Sequence, residues 1–79
     1  MTTSDAIAQA IARRDLPDPA GRRHLRECSG LSQRSVGMYI GTSAQAIANY
    51  EKGKRSPRGS TLVRYSELLT QLACILEDG

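Results

Sequence analysis

The side chains of this 79-residue sequence that are best suited to recognise another molecule are two carboxamides, Gln45 and Asn49. If residues 43–52 form a helix, a step of about 100° per residue places both amides on one side. That side carries Ala44, Gln45, Ala48, Asn49 and Lys52, and the opposite side carries Ala46, Ile47 and Tyr50. Gln and Asn can pair with N6 and N7 of adenine, and alanine is small enough to touch a thymine methyl. The side of the helix that carries Gln45 and Asn49 therefore suits an A·T-containing stretch of double-stranded DNA.

A basic segment follows this helix. Five basic residues and no acid lie between Lys52 and Arg64, and the Gly and Pro content of residues 53–59 predicts a loop. Taken alone, such a cluster is an ordinary solvated loop. Next to a helix that is predicted to contact bases, it is better explained as a clamp on phosphate, which supplies most of the non-specific affinity for DNA. The basic residues predicted to contact the DNA backbone are Arg34, Lys52, Lys54, Arg55 and Arg58, whereas Arg22 and Arg23 are interpreted as surface charges.

The composition predicts a small all-α protein. Hydrophobic residues make up 39% of the chain, and there is no Phe or Trp, so Leu, Ile, Val and Ala must build the core. Such a core favours helices over a sheet. A chain of this size supports one core only. We therefore expect residues 1–79 to form a single domain with a central motif at 33–52, an extra helix at 1–16 and a long helix at 60–78.

Capping and turn residues divide the chain into five predicted helices. They begin at the caps Ser4, Asp18, Ser32, Ser43 and Ser60, and they end near Arg14, Gly30, Gly41, Gly53 and Asp78. Gly37 leaves room where the two central helices cross, and Gly41 supplies a turn with positive φ. Leu25 and Cys28 are expected to face the core.

Metal, redox and catalytic chemistry have little support in the sequence. Cys28 and Cys74 lack a C-x-x-C spacing, and His24 is the single histidine, so we expect buried free thiols, no metal and no cofactor. No stretch approaches the ~20 apolar residues of a membrane span, and no leader is evident, which predicts a cytoplasmic protein. An enzyme is the weakest hypothesis, because there is no Gly-rich phosphate loop and no carboxylate pair at catalytic spacing.

The motif at 33–52, QRSVGMYIGTSAQAIANYEK, resembles the Cro and phage-repressor (Xre-like) family of helix-turn-helix proteins. The G-L-S-Q entry, the G-T-S turn and the A-I-x-x-Y-E-x-G-x-R-x-P exit agree together, and the resemblance covers about residues 22–69. It implies a bundle of about five helices, with residues 43–52 in the major groove. It also implies base contacts from Ala44, Gln45 and Asn49, phosphate contacts from Gln33 and Ser43, and a structural ion pair between Arg26 and Glu51.

The uninterrupted segment at 60–78 and the extra helix at 1–16 depart from the family pattern. We expect Leu72, Ile75 and Leu76 to contact a second copy, because so small a core is filled early. Ile7 and Ile11 are sufficient to dock the helix at 1–16 on the same subunit or on a partner subunit. The leading hypothesis is a bacterial or phage-encoded regulator that binds a pseudo-palindromic operator as a dimer and represses by occlusion. The alternative is an antitoxin, a DNA-binding protein that also neutralises a protein partner.

Overall fold

A computed structural model describes residues 2–78, and the side chains of residues 2–77. Five helices follow one another: α1 at Thr3–Asp15, α2 at Pro19–Cys28, α3 at Gln33–Ile40, α4 at Ala44–Lys52 and α5 at Gly59–Asp78. No strand occurs within these residues. The prediction of an all-α bundle with five helices is confirmed.

Most helix ends lie where the capping residues predict. The side chains of Asp18, Ser32 and Ser43 accept the backbone N–H three residues ahead, which satisfies one free donor at the start of each helix. At the other end, Gly41 and Gly53 adopt left-handed backbone angles with φ of 85° and 76°. Any residue with a Cβ would be strained there, and the two central helices therefore stop at these glycines.

Two predicted caps are wrong. Helix α1 is capped by Thr2 rather than Ser4, because Thr2 and Asp5 form a reciprocal pair: the Thr2 hydroxyl accepts from the Asp5 N–H, and the Asp5 carboxylate accepts from the Thr2 N–H. Helix α5 begins at Gly59, so Ser60 lies inside its first turn. The free N–H of Gly59 is accepted at 3.2 Å by the side-chain oxygen of Gln9 from α1.

The core is built around α5, which packs against α1, α2 and α3. The buried cluster consists of Val36, Ile40, Ile47, Tyr50, Tyr65, Leu68, Leu69 and Leu72, and Leu16, Leu25, Leu31 and Ala46 pack against its edge. Leu72 is only 7% exposed, so its predicted role as a contact to a second copy is wrong. Helix α1 docks through the buried Ala12, whereas Ile7 and Ile11 remain exposed.

Both cysteines are exposed free thiols, which corrects the prediction that they are buried. Helix α2 explains the case of Cys28. The inner side of α2 is occupied by Leu25 and by two arginines, Arg22 and Arg26, whose side chains bond inward. At about 100° per residue this arrangement turns Cys28 outward.

The turn between α3 and α4 is tight because Gly37 has no side chain. A Cβ on Gly37 would lie 2.8 Å from the carbonyl oxygen of Thr42 and 3.0 Å from that of Ser43. The Thr42 N–H donates to the Gly37 carbonyl at 2.7 Å, which holds the turn against α3. A side chain at position 37 would therefore clash with backbone atoms of the turn, which cannot rotate away as a side chain can.

We predict that Gly37→Ala lowers the free energy of unfolding by about 2 to 3 kcal/mol, because the added methyl forces the turn away from α3. Gly30→Ala is the matched control. Gly30 has a φ of 73° but open space around it, so its variant carries backbone strain alone and loses about 1 kcal/mol. Urea unfolding of both variants measures the difference. Equal losses would show that close approach at Gly37 is unimportant.

Candidate nucleic-acid interface

Helix α4 has one buried and one open side, as its periodicity predicts. Ile47 is fully buried and Tyr50 is buried, while Gln45 and Lys52 are exposed and Asn49 is half-buried. The Gln45 side-chain nitrogen donates to the Asn49 side-chain oxygen at 3.4 Å. The two amides therefore lie next to each other on the open side of a helix whose other side is fixed in the core.

The start of α4 is ordered by Ser43, whose hydroxyl oxygen accepts from the Ala46 N–H at 3.1 Å. This bond uses an acceptor site of the hydroxyl and leaves its O–H as a donor. The predicted phosphate contact of Ser43 is therefore compatible with its capping role.

A buried ion pair joins α2 to the end of α4. Arg26 Nε donates to Glu51 Oε2 at 2.6 Å and Arg26 Nη2 donates to Glu51 Oε1 at 3.0 Å, a two-point contact. A third nitrogen, Nη1, donates to the Leu31 carbonyl at 2.9 Å. The hydrogen bond to Glu51 raises the pKa of Arg26, against the opposing effect of burial. The ion pair implied by the resemblance is thus present, and each of the three guanidinium nitrogens of Arg26 donates to a protein oxygen.

Gln33, which is predicted to reach phosphate, is tied to this ion pair. Its side-chain nitrogen donates to Glu51 Oε1 at 3.2 Å, and its side chain is half-buried at the start of α3. The sequence gives no sign of this bond, because the two residues are 18 positions apart. The amide nitrogen keeps a second N–H that the bond does not use.

Arg22 also has a structural role, so its interpretation as a surface charge is wrong. Its Nε donates to the Pro17 carbonyl at 2.7 Å and its Nη1 donates to the Tyr50 carbonyl at 3.0 Å. The second bond satisfies a carbonyl in the last turn of α4, where a positive charge is favourable. Arg23 is an exposed residue that pairs with Glu27 on the same helix, as expected of a surface charge.

The basic loop lies directly after α4 and is anchored to it. The backbone N–H groups of Lys54 and Arg55 donate to the Asn49 carbonyl at 3.0 and 3.4 Å, and Pro57 is buried. The side chains of Lys54, Arg55 and Arg58 are exposed and line an open concavity of about 670 Å³. Within residues 2–77, none of the three forms an ion pair. Arg34 is likewise exposed, at the start of α3.

Tyr65 buries a ring and a hydroxyl within electrostatic range of Glu51 and Arg26. Its ring packs against that of Tyr50 with 5.6 Å between ring centroids, and its hydroxyl is buried without a hydrogen-bond partner among the described residues. Burial, followed by the negative charge of Glu51, raises the pKa of Tyr65 from its usual 10.0 to about 12. This residue therefore resists ionisation and contributes packing rather than a polar contact.

Other kinds of site find no support in the part of the chain that the structure describes. Those residues contain no group of three or more His, Cys, Asp or Glu side chains arranged to hold a metal ion. None of their helices combines the length and the apolar character needed to cross a membrane.

Two short helices joined by a glycine turn, the second with an open polar side, define a helix-turn-helix protein. The helix-turn-helix family profile matches residues 23–70, which is more than half of the chain. The chain therefore belongs to the helix-turn-helix family of Xre/Cro/repressor-type proteins, whose domain binds DNA in transcription regulators and is not a catalytic one. A search of curated proteins and a search of solved structures found no significant match.

We predict that Tyr65→Phe leaves the free energy of unfolding at neutral pH unchanged or raises it by up to about 1 kcal/mol, because it removes a buried hydroxyl without a partner. The variants diverge in alkali. The pKa of Tyr65 is about 12 in the folded state and 10.0 in the unfolded state. The unfolded chain therefore loses this proton first, and the wild-type free energy of unfolding, constant in this respect below pH 10, falls as the pH rises toward about 12. The phenylalanine variant lacks this loss, which amounts to roughly 2 to 3 kcal/mol.

Urea unfolding between pH 8 and pH 12 measures this difference, with Tyr39→Phe as the control because Tyr39 is exposed. A wild-type protein and a Tyr65→Phe variant that lose stability in parallel over this range would contradict the assignment.

Proposed function

We propose that the protein is a transcriptional regulator that binds a pseudo-palindromic site on double-stranded DNA as a homodimer, with α4 in the major groove. The observation that carries the proposal is the pair of adjacent amides on the open side of α4, with an anchored basic loop directly after it. In this proposal the single domain acts in the bacterial cytoplasm, on a bacterial or phage operator. It represses by occupying the site.

The proposed base contacts come from Ala44, Gln45 and Asn49. The packing of Ile47 and Tyr50 supports this assignment, because a helix fixed on one side presents the other in a constant orientation. Each amide offers one acceptor and two donors, the combination that pairs with the N7 and N6 groups of adenine. The bond between the two amides is exposed and 3.4 Å long, so it gives way readily to a base edge.

The proposed backbone contacts come from two ends of the same surface. At one end are Gln33, Arg34 and Ser43, around the starts of α3 and α4, and at the other are Lys52, Lys54, Arg55 and Arg58. The exposure and the lack of ion pairs of the loop residues support their role, since a cation without an acidic partner can displace counterions from DNA. Phosphate contacts at both ends of α4 would fix its register in the groove.

The proposed dimer contact lies at the end of α5. Ile75 is 65% exposed and Leu76 is 37% exposed, whereas Leu72 is buried and is left out of the contact. Gln71, Ile75 and Leu76 are exposed, carry no charge and lie within the last two turns of α5. Such a surface suits pairing with its own copy across a two-fold axis, which would place two α4 helices about 34 Å apart on the DNA.

We predict that Gln45→Ala weakens binding to the preferred site by about 1 to 3 kcal/mol and leaves binding to random duplex unchanged, because only base contacts are lost. Arg55→Ala should weaken binding to both DNAs alike and reduce the salt dependence by about one phosphate contact. Arg13→Ala removes the same charge from the exposed surface of α1 and is the matched control.

The preferred site is first obtained by selecting bound sequences from a random duplex pool, and a footprint on DNA flanking the gene provides an independent site. Titrations at several salt concentrations then measure both effects. Equal losses of Gln45→Ala on the preferred and random duplexes would refute base reading by α4.

We predict that Ile75→Glu weakens dimerisation at least tenfold, about 1.4 kcal/mol, because the two-fold axis places the new charge twice in the same apolar contact. Ile7→Glu introduces the same charge at an exposed isoleucine of α1 and should leave the dimer intact. Sedimentation equilibrium measures both constants. A monomeric wild-type protein, or a dimer broken by Ile7→Glu alone, would overturn the proposed contact. Isolation with a stoichiometric unrelated protein would instead favour the antitoxin alternative.

A further inference from the structure

We propose that Glu51 is a positioning residue that orients the carboxamide of Gln33 toward a DNA phosphate. This inference rests on the proposed function, and it goes further by assigning a role in binding to an ion pair that is buried inside the protein. Glu51 accepts three hydrogen bonds: Oε2 accepts from Arg26 Nε, and Oε1 accepts from both Arg26 Nη2 and Gln33 Nε2.

The site is built and largely shielded from water. The Glu51 side chain is 3% exposed and that of Arg26 is 13% exposed, so their bond is not disturbed by solvent. Arg26 also holds the Leu31 carbonyl at 2.9 Å, just before the Ser32 cap of α3. The Arg26 guanidinium therefore fixes the position of Glu51 relative to the backbone that leads to Gln33.

The chemistry of the bond selects one orientation of the Gln33 amide. An ionised carboxylate only accepts hydrogen bonds, so the amide must turn its nitrogen toward Glu51. A DNA phosphate also only accepts, and it requires an N–H from Gln33. The same nitrogen supplies both bonds, one through each of its hydrogens. Without Glu51, the amide is free to rotate and to present its oxygen to the phosphate, which is repulsive.

A double-mutant cycle tests this role, with random duplex DNA as the probe because phosphate contacts do not depend on sequence. Gln33→Met is introduced into the wild-type protein and into the Arg26→Met/Glu51→Met background, which replaces the buried ion pair with apolar side chains of similar length. We expect Gln33→Met to weaken binding about three- to tenfold in the wild-type protein, and less than twofold in the background without the ion pair.

A rescue variant separates orientation from stability. Gln33→Lys in the background without the ion pair should restore most of the lost affinity, because an ammonium group donates in any orientation. Thermal melts of every variant check folding. If the background variant does not fold, Glu51→Asp replaces it. The shorter side chain withdraws the carboxylate from Gln33 by one methylene, and the longer, flexible Arg26 side chain can follow it.

Each outcome has a distinct meaning. Wild-type protein that binds DNA, with Gln33→Met losing equal affinity in both backgrounds, would overturn the positioning role and leave the proposed function intact. An unchanged affinity of Gln33→Met in the wild-type protein would overturn the positioning role and remove Gln33 from the proposed phosphate contacts, while base reading by α4 would stand. Failure of the wild-type protein to bind any duplex would overturn the proposed function and the inference together.

Discussion

Arg26 and Glu51 put two opposite charges in a place where neither can remain alone. Removing an ion from water costs several kcal/mol even after the protein relaxes, and only a close, well-hydrogen-bonded partner offsets this cost. Here the two-point contact is supplemented by hydrogen bonds from Arg26 to the Leu31 carbonyl and from Gln33 to Glu51. Because these groups come from α2, α3 and α4, the charges can be satisfied only when all three helices are in their native positions.

The neighbours of this ion pair follow the same constraint. Arg22, one turn before Arg26, satisfies the Tyr50 carbonyl, so α2 holds the end of α4 at two points. Tyr65 packs its ring against that of Tyr50, and its buried hydroxyl has no hydrogen-bond partner among the described residues. The hydrogen bonds of Arg22 and Arg26 thus fix the position of the end of α4, while hydrophobic packing around Ile47 fixes its middle.

The sequence predicts this fold well at most places where the deciding interaction is local; the start of α1 is an exception, because its Thr2–Asp5 capping pair is also local. Ser32 and Ser43 cap helices through residues three positions ahead, and Gly41 ends α3 through its own backbone angle, so a short window is sufficient. The open side of α4 follows from periodicity alone. The predictions fail where the partner is distant in sequence: the cap of α5 comes from Gln9, 50 residues away.

The same reasoning applies to the candidate site. The amides of α4 and the cations of the loop are identified by type and spacing, although their contacts with DNA stay predictions. The bond between Gln33 and Glu51 could not be foreseen, since it depends on how α3 crosses α4. The burial of Leu72 and the exposure of Ile75 depend on how far along α5 the core extends, which its uniform apolar pattern does not reveal.

The basic residues show most directly why a net charge describes a DNA-binding surface poorly. The formal charge of +3 counts Arg22 and Arg26 equally with Lys54 and Arg55, yet the first two are committed to carbonyls and a carboxylate inside the protein. Only cations without such partners can release counterions from DNA. The loop after α4 keeps its cations free because no acid lies in that stretch of sequence, and because the backbone anchors the loop without using the side chains. Electrostatic attraction is therefore concentrated next to the open side of α4, where it can bring the amides to the edges of the bases.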